Sequence, residues 1–591
     1  MRAVSRLLGF LVAGLLAGAA QAEPRADFAQ LLKDHWAAYL AANPSYAAAL
    51  GERPPAGARE ALTLAAMDAQ AAEAAGFRKR LAAIPKDSLT EDERVTAAIL
   101  DRLLARQVEG NRYPARAMLF SNRQGFHSYS ADLPQQLPLF SAADYEYYVA
   151  RLEGFGAQSD EVLETTRAAV KGGYVLSCAV LTGVEPSVRK LVLPAEQSRF
   201  WAPMKARPAA ISEPQWAVLQ ARARAAIGGG INPAYSRFAD YLAKEYVPAC
   251  TRAVGASARP MGRDYYAWRA RQETTTDLTP DQIHALGLSE VARIRAEMET
   301  VAKTAGFPSR EAFVQHLRTD PRYYARTPEE LMQAAGYQAK RIDGWMPKLF
   351  GKLPRLPYTV REIPAEIAPG ATTALYNIGS LPAGTPGVYY VNTTKLNERP
   401  LFELPALTIH EAVPGHHHQI ALAQELDLPP LRRHAAVFMA FIEGWGLYSE
   451  RLGIEMGMYD TPAKDMGRLS YEMWRATRLV VDTGLHWKGW SKEQAVRYML
   501  DNTALSAANV DAEVNRYIAD PGQALAYKVG ELRIRALRAE AEAALGPAFD
   551  LRAFHDRVLE AGPLPLDLLE QRVRSWIVAQ KAGLESRAPR G

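Results

Sequence analysis

The sequence predicts a mainly α-helical protein with one small β-sheet, and three observations predict it. Segments 60–84, 276–306, 329–350 and 530–546 combine good helix formers with apolar residues three and four apart. Strand signal is confined to 355–364 and 387–394, both rich in β-branched and aromatic residues. Beyond the N-terminal leader, no apolar run reaches the roughly 20 residues that a membrane-spanning helix needs.

Taken in order, residues 1–22 read as a secretory signal peptide. Arg2 and Arg6 precede the apolar run Leu7–Gly18, and Ala20-Gln21-Ala22 gives a small-x-small cleavage site. The mature chain is expected to start at Glu23 and to be exported, periplasmic and without a stable membrane anchor, since no Cys follows the run. Residues 23–260 form an N-terminal helical region, and 261–591 carry the candidate chemistry. Thr279 before Pro280, with Gln282 in the first turn, marks a helix start. The Gly-, Pro- and Thr-rich segment 368–387 reads as loop or irregular strand. A net charge of +5 over 591 residues, with no basic stripe, gives no indication of nucleic acid. Cys178 and Cys250 admit a disulfide or two separate buried thiols. Oligomeric state is not specified by the sequence.

Six of the eleven histidines lie between 410 and 486. The stretch 407-LTIHEAVPGHHHQIA-421 departs from the H-E-x-x-H zinc helix, because the position four after His410 is Pro414. Pro414 lacks an N–H, and its ring opposes the carbonyl of His410. A bulge or short break at 413–415 would absorb two extra residues and return His416 to the side of His410. His417 is the fallback, but it lies about 10 Å further along an unbroken helix, too far for two metal bonds of about 2 Å. The third ligand is expected from 438-FMAFIEGWGLYSERLG-453, where Glu443 and Glu450 fall on one helix face. Glu443 would bind the metal and Glu450 would orient a histidine from behind. Those glutamates could instead form ordinary ion pairs with Arg451, Arg475 or Arg478. In the metal reading, Glu411 is the general base toward water, and the His/His/Glu set points to one Zn2+ per chain.

His-Glu-x-x-Pro-Gly-His at 410–416, followed by Glu-Gly-Trp-x-Leu-Tyr-x-Glu at 443–450, resembles the DUF885 family, exported or lipoprotein bacterial proteins grouped with the gluzincin metallopeptidases. The resemblance extends to 386–393, 475–490 and 517–532 and covers most of the mature chain. It implies a large helical metallopeptidase-like fold, a small sheet flanking the zinc helix, and a deep cleft suited to short peptides. It supports His416 over His417 as a ligand, with His417 in a supporting layer. It implies that 387–394 is an edge strand beside the substrate, with Tyr389, Tyr390 and Asn392 in contact. It makes His486 and Tyr527 candidate donors to an oxyanion, although each could be a plain packed residue. Arg478, with Arg475, could clamp a substrate carboxylate or pair with Glu443 and Glu450. The expected function is hydrolysis of peptide bonds by metal-activated water. Its rivals are an amidase acting on cell-wall peptides and a non-catalytic metal- or peptide-binding protein.

Overall fold

Capping residues set the helix starts. Thr279 and Gln282 cap each other reciprocally, with Thr279 N–H donating to Gln282 Oε1 at 2.9 Å and Gln282 N–H to Thr279 Oγ1 at 3.3 Å. The 25-residue helix α1 (Pro280–Thr304) therefore begins where the sequence places it. The computed structural model describes residues 23–121, 125–129, 133–137, 139–364, 368, 371–381 and 384–587. The expected signal peptide, 1–22, lies outside the described residues. Helix takes 70% of the chain, about twice the usual share, so the mainly helical expectation holds. Among the described residues no helix is long and apolar enough to cross a membrane. Contacts divide the chain into two units, Met1–Arg252 with Arg259–Met261, and Ala253–Ala258 with Gly262–Gly591.

The first unit is helical. Leu64–Ala82 packs on Glu91–Gly110, and the latter starts at a Thr90/Glu93 capping box. Ala142–Glu153 and Phe155–Lys171 bury Tyr148, Val149, Val162 and Leu163. Cys178 and Cys250 form a disulfide with Cα atoms 5.2 Å apart, which resolves the open alternative. Beside it, Cys178 N–H donates to Thr251 O and Thr251 N–H to Leu176 O. A cross-link over a separation of 72 residues removes about 4 kcal/mol of loop entropy from the unfolded chain. Cys250→Ser is expected to destabilise this unit by up to that amount. Thermal unfolding of wild type and variant, with and without reductant, reads the effect. Identical melts would show that the bridge contributes nothing.

In the second unit, β1 (Tyr358–Glu362), β2 (Ala374–Asn377) and β3 (Gly387–Val391) form a three-stranded sheet in the order β1-β3-β2. β3 pairs parallel to β1, with Tyr358 opposite Gly387, and antiparallel to β2, with Asn377 opposite Val388. The expected edge strand at 387–394 is thus corrected: its strand is central, with both ladders filled. The edge nearer the chemistry is β2, four residues inside the segment read as loop or irregular strand, and it contacts helix α3 (Leu404–Glu411), as does helix α2 (Pro328–Asp343).

Four further helices position the site: α4 (His416–Glu425), α5 (Met439–Glu455), α6 (Pro462–His486) and α7 (Ala507–Ala519). The last that matters is α8 (Ala526–Leu545). α1 lies along α6 over a core that includes Ile294, Met298, Met466, Leu469, Met473 and Val480. From Met466 to His486 every residue of α6 is buried. Its polar members Arg468, Glu472, Arg475, Arg478, Asp482 and His486 recur every three or four positions, so they form one stripe inside the unit.

Candidate metal centre

The odd spacing of the His-rich stretch is absorbed by a break between two helices. α3 ends at Glu411, and Ala412 (φ −93°, ψ −116°) and Gly415 (φ −73°, ψ −128°) turn the chain before α4. The Val413–Pro414 peptide is cis. Gly415 N–H donates to Ile409 O at 3.0 Å, and a Cβ on Gly415 would lie 2.0 Å from His410 O, so only glycine fits there. From α5, Trp445 Nε1–H donates to Pro414 O at 2.8 Å and holds the break. The outcome is that the rings of His410 and His416 meet edge to face, 4.6 Å between centroids.

Glu443 on α5 completes the group. One nitrogen of each histidine and one oxygen of Glu443 all lie within 4.8 Å of one another. Glu443 Oε2 is 3.5 Å from His410 Nε2 and 3.3 Å from His416 Nε2. It is buried and makes no well-aligned hydrogen bond, so its demand falls on the two ring nitrogens, and a cation between the three atoms would meet it. Ligand bonds of about 2.0–2.1 Å in a tetrahedral site put donor atoms about 3.3–3.4 Å apart. The donor set and its spacing therefore fit a tetrahedral divalent metal such as zinc. Gly446 makes the room, because a Cβ there would lie 2.7 Å from His410 Cε1.

A supporting layer fixes the ring of His410. Its Nδ1–H donates to Glu450 Oε1 at 2.8 Å, and Arg475 Nη2 holds the same oxygen at 3.2 Å. This turns Nε2 toward Glu443, the arrangement of a carboxylate–histidine–metal triad. Without metal, burial would lower His410, but Glu443 and Glu450 override it and hold the imidazole up at about 9. Burial would likewise raise Glu443, yet the pull of His416 and His410 keeps it well below the carboxylate range. Gln419, absent from the sequence reading, places its amide 3.2 Å from His416 Nδ1; its only signal was its position three residues along α4.

Glu411, next to His410, and Tyr527 on α8 are both half-buried. α8 comes close to α5 because Gly444 meets Gly530, where a Cβ would lie 2.5 Å from the facing Cα. Burial raises the Tyr527 hydroxyl, and the Glu443 carboxylate raises it further.

Other expected roles are corrected. His486 cannot donate to an oxyanion: it is fully buried, its Nδ1 accepts from Ala256 N–H at 2.9 Å, and its Nε2–H donates to Tyr517 O at 2.8 Å. His417 neither binds nor supports the metal group. Its Nε2–H donates to Leu356 O and its Nδ1 meets the Tyr376 hydroxyl, both at 3.0 Å, so it ties α4 to the sheet. Burial depresses it to about 4, which keeps it neutral. Asn392 is structural. Its amide donates to the carbonyls of Ala368, Ala371 and Thr372, and its Oδ1 accepts from Thr394. The cavity it lines holds about 10 Å³, room for one water. Tyr389 is fully buried and its hydroxyl lies 3.3 Å from Thr408 Oγ1 on α3, so it braces the helix. Tyr390, on the opposite face of β3, is partly exposed. Arg475 pairs with Glu450, whereas Arg478 pairs with Glu513 at 3.1 Å and not with Glu443.

Two solved structures are similar to this chain. One, described as a "putative lipoprotein" from Colwellia psychrerythraea, is 29% identical with a TM-score of 0.85, over 93% of this chain and 99% of that one. The other, "a putative lipoprotein of unknown function" from Shewanella oneidensis, is 19% identical with a TM-score of 0.63, over 92% and 99%, and shows the fold alone. No curated protein matches. Residues 44–573 match the family described as "Bacterial protein of unknown function (DUF885)". A match over that span takes in the helices that carry His410, His416 and Glu443, the sheet and α8, and the chain belongs to the DUF885 family.

Proposed function

We propose that this protein is an exported, periplasmic zinc-dependent peptidase of gluzincin type, acting on short peptides. The observation that carries the reading is the buried Glu443 oxygen, facing two histidine Nε2 atoms while Glu450 holds the far side of one ring. His410, His416 and Glu443 would hold the metal. When bound, it supplies Lewis acidity to the scissile carbonyl and makes water easier to deprotonate. Glu411 takes the proton from the attacking water and delivers it to the leaving amine. Tyr527 O–H donates to the oxygen that becomes negative as water adds. The donors' side chains are 3–12% exposed, which supports a cleft that admits an extended peptide and excludes a folded protein. The half-buried base beside a ligand favours catalysis over binding alone, since a binding site needs no base there. Export is supported by the lipoprotein description of the similar Colwellia psychrerythraea structure.

The test is Glu411→Gln in the zinc-loaded mature chain, assayed on a panel of short peptides beside cell-wall fragments. Loss of the general base is expected to lower kcat by about 10²–10⁴-fold with metal content unchanged. Unchanged hydrolysis would sink the catalytic reading. Activity confined to wall fragments would reassign the substrate.

A further inference from the structure

Two guanidinium groups of α6 have an unused donor, Arg475 Nε behind Glu450 and Arg478 Nη1 against Tyr527. Arg478 is 4% exposed and lies in a sandwich, its Cζ 4.5 Å from the Trp474 ring centroid and 4.3 Å from that of Tyr527. Its Nε–H donates to the Tyr517 hydroxyl at 2.9 Å and its Nη2 to Glu513 at 3.1 Å. Nη1 is buried with no hydrogen-bond partner. Leaving a buried charged donor unpaired costs more than leaving a neutral one.

Glu513 is shared between Arg478 and Arg516, which approaches it at 2.9 Å, so one carboxylate faces two guanidinium groups. Arg516 also donates to Gln523 and stacks on Tyr517 at 4.8 Å. Both arginines act on the Tyr527 hydroxyl, ranking directly after Glu443 in their influence. Arg478 thus stacks on Tyr527, which lies on the helix that meets α5 at Gly444 and Gly530, one residue beyond Glu443. An anion entering beside Tyr527 would meet the unpaired N–H of a guanidinium whose carboxylate partner is shared with a second arginine, and a guanidinium N–H suits a carboxylate.

We propose that Arg478 Nη1 receives the free C-terminal carboxylate of a peptide substrate, which makes the enzyme a carboxypeptidase or dipeptidase. This rests on the peptidase reading and specifies its substrate class. Water's oxygen bonds to the carbonyl carbon of a peptide bond near that terminus, the C–N bond breaks, and the freed amine takes a proton. Rigid stacking between Trp474 and Tyr527 holds the guanidinium plane before any substrate arrives, so little side-chain entropy is lost on binding.

The experiment separates this inference from the proposed reaction. Glu411→Gln, loaded with zinc, is titrated with fluorescein-labelled tri-alanine as the free acid and as the C-terminal amide, followed by anisotropy. The free acid is expected to bind at least about 30-fold tighter, a typical worth for a charge-assisted hydrogen bond. In the Arg478→Lys, Glu411→Gln double variant the ratio is expected to fall below about threefold, because an ammonium does not reproduce the guanidinium fork. Equal affinity for acid and amide overturns the inference without any Arg478 variant. A preference that survives in a double variant of unchanged melting temperature also overturns it. Wild type is assayed on the same pair: cleavage of acid and amide alike leaves the peptidase standing and removes the carboxylate site. A binding preference with no cleavage of either removes the peptidase and leaves the carboxylate site.

Discussion

The His416→Ala chain is expected to hold no zinc after dialysis, while His417→Ala retains one per chain. Both residues are buried histidines in the first turn of α4, so burial does not distinguish them. Direction does. His416 Nε2 faces Glu443 Oε2 at 3.3 Å, and His417 spends both nitrogens on Tyr376 and Leu356. Removing one of three protein ligands should cost more than the roughly 10–100-fold that loss of an outer-layer partner costs. His417→Ala should instead cost about 1–3 kcal/mol of stability, because Tyr376 and Leu356 lose a buried partner. Metal content by elemental analysis, read beside thermal unfolding, checks both halves. Zinc lost from His417→Ala but kept by His416→Ala would contradict the ligand set. Wild type that binds no divalent metal under any condition would remove the metal centre and the peptidase with it.

Much of that centre was legible in the sequence, because its constraints are local. Pro414 cannot sit in a continuous helix with His410, and Gly415 is the residue that permits the turn. The pair Glu443 and Glu450, seven apart, had to share a helix face. The helices at 276–306 and 530–546 were legible for the same reason, through periodicity and caps. What was not legible depends on partners far along the chain. His486 is consumed by Ala256, 230 residues away, and by Tyr517, 31 residues away. Asn392 is consumed by carbonyls 20–24 residues earlier. The choice between Arg475 and Arg478 as partner of Glu450 is decided by where α7 places Glu513, 35 residues beyond Arg478. The central position of β3 depends on β2, whose four residues are too few for a period-two pattern. In each case the role was set by a neighbour that spacing does not reveal.

Lys528→Met is expected to destabilise the second unit by about 3–5 kcal/mol, the cost of breaking a buried ionic group by removing one partner. Lys528 is 0% exposed, and its Nζ lies 3.0 Å from Glu290, 2.9 Å from Glu472 and 2.9 Å from Glu531. Arg293 and Arg535 also reach these carboxylates but are 31% and 25% exposed, so they cannot replace a cation at the centre. In wild type, burial would raise Glu290 and Glu472, yet Lys528 and Arg293 override it and hold both below the usual value. A depressed carboxylate stabilises the fold above its unfolded pKa, and that contribution is lost as pH falls through the folded pKa. The wild type should therefore be flat, for this cluster, between pH 5 and pH 8. With Met at 528 the sign reverses. Burial without the central cation favours protonated carboxyls, so the folded variant binds protons that the unfolded chain has released, and its stability falls as pH rises above about 4.5. The deficit relative to wild type should be larger at pH 8 than at pH 5, measured by urea unfolding at both. Because His410, His416 and Glu443 sit on α3, α4 and α5, the folded variant should still hold its metal. A deficit below about 1 kcal/mol, or the same deficit at both pH values, would mean that the arginines neutralise the cluster and that Lys528 is dispensable to the footing of α8. Tyr527 stands one residue before it on that helix. A variant that folds, holds zinc and yet loses turnover would then show that this buried cation also fixes the position of the Tyr527 hydroxyl.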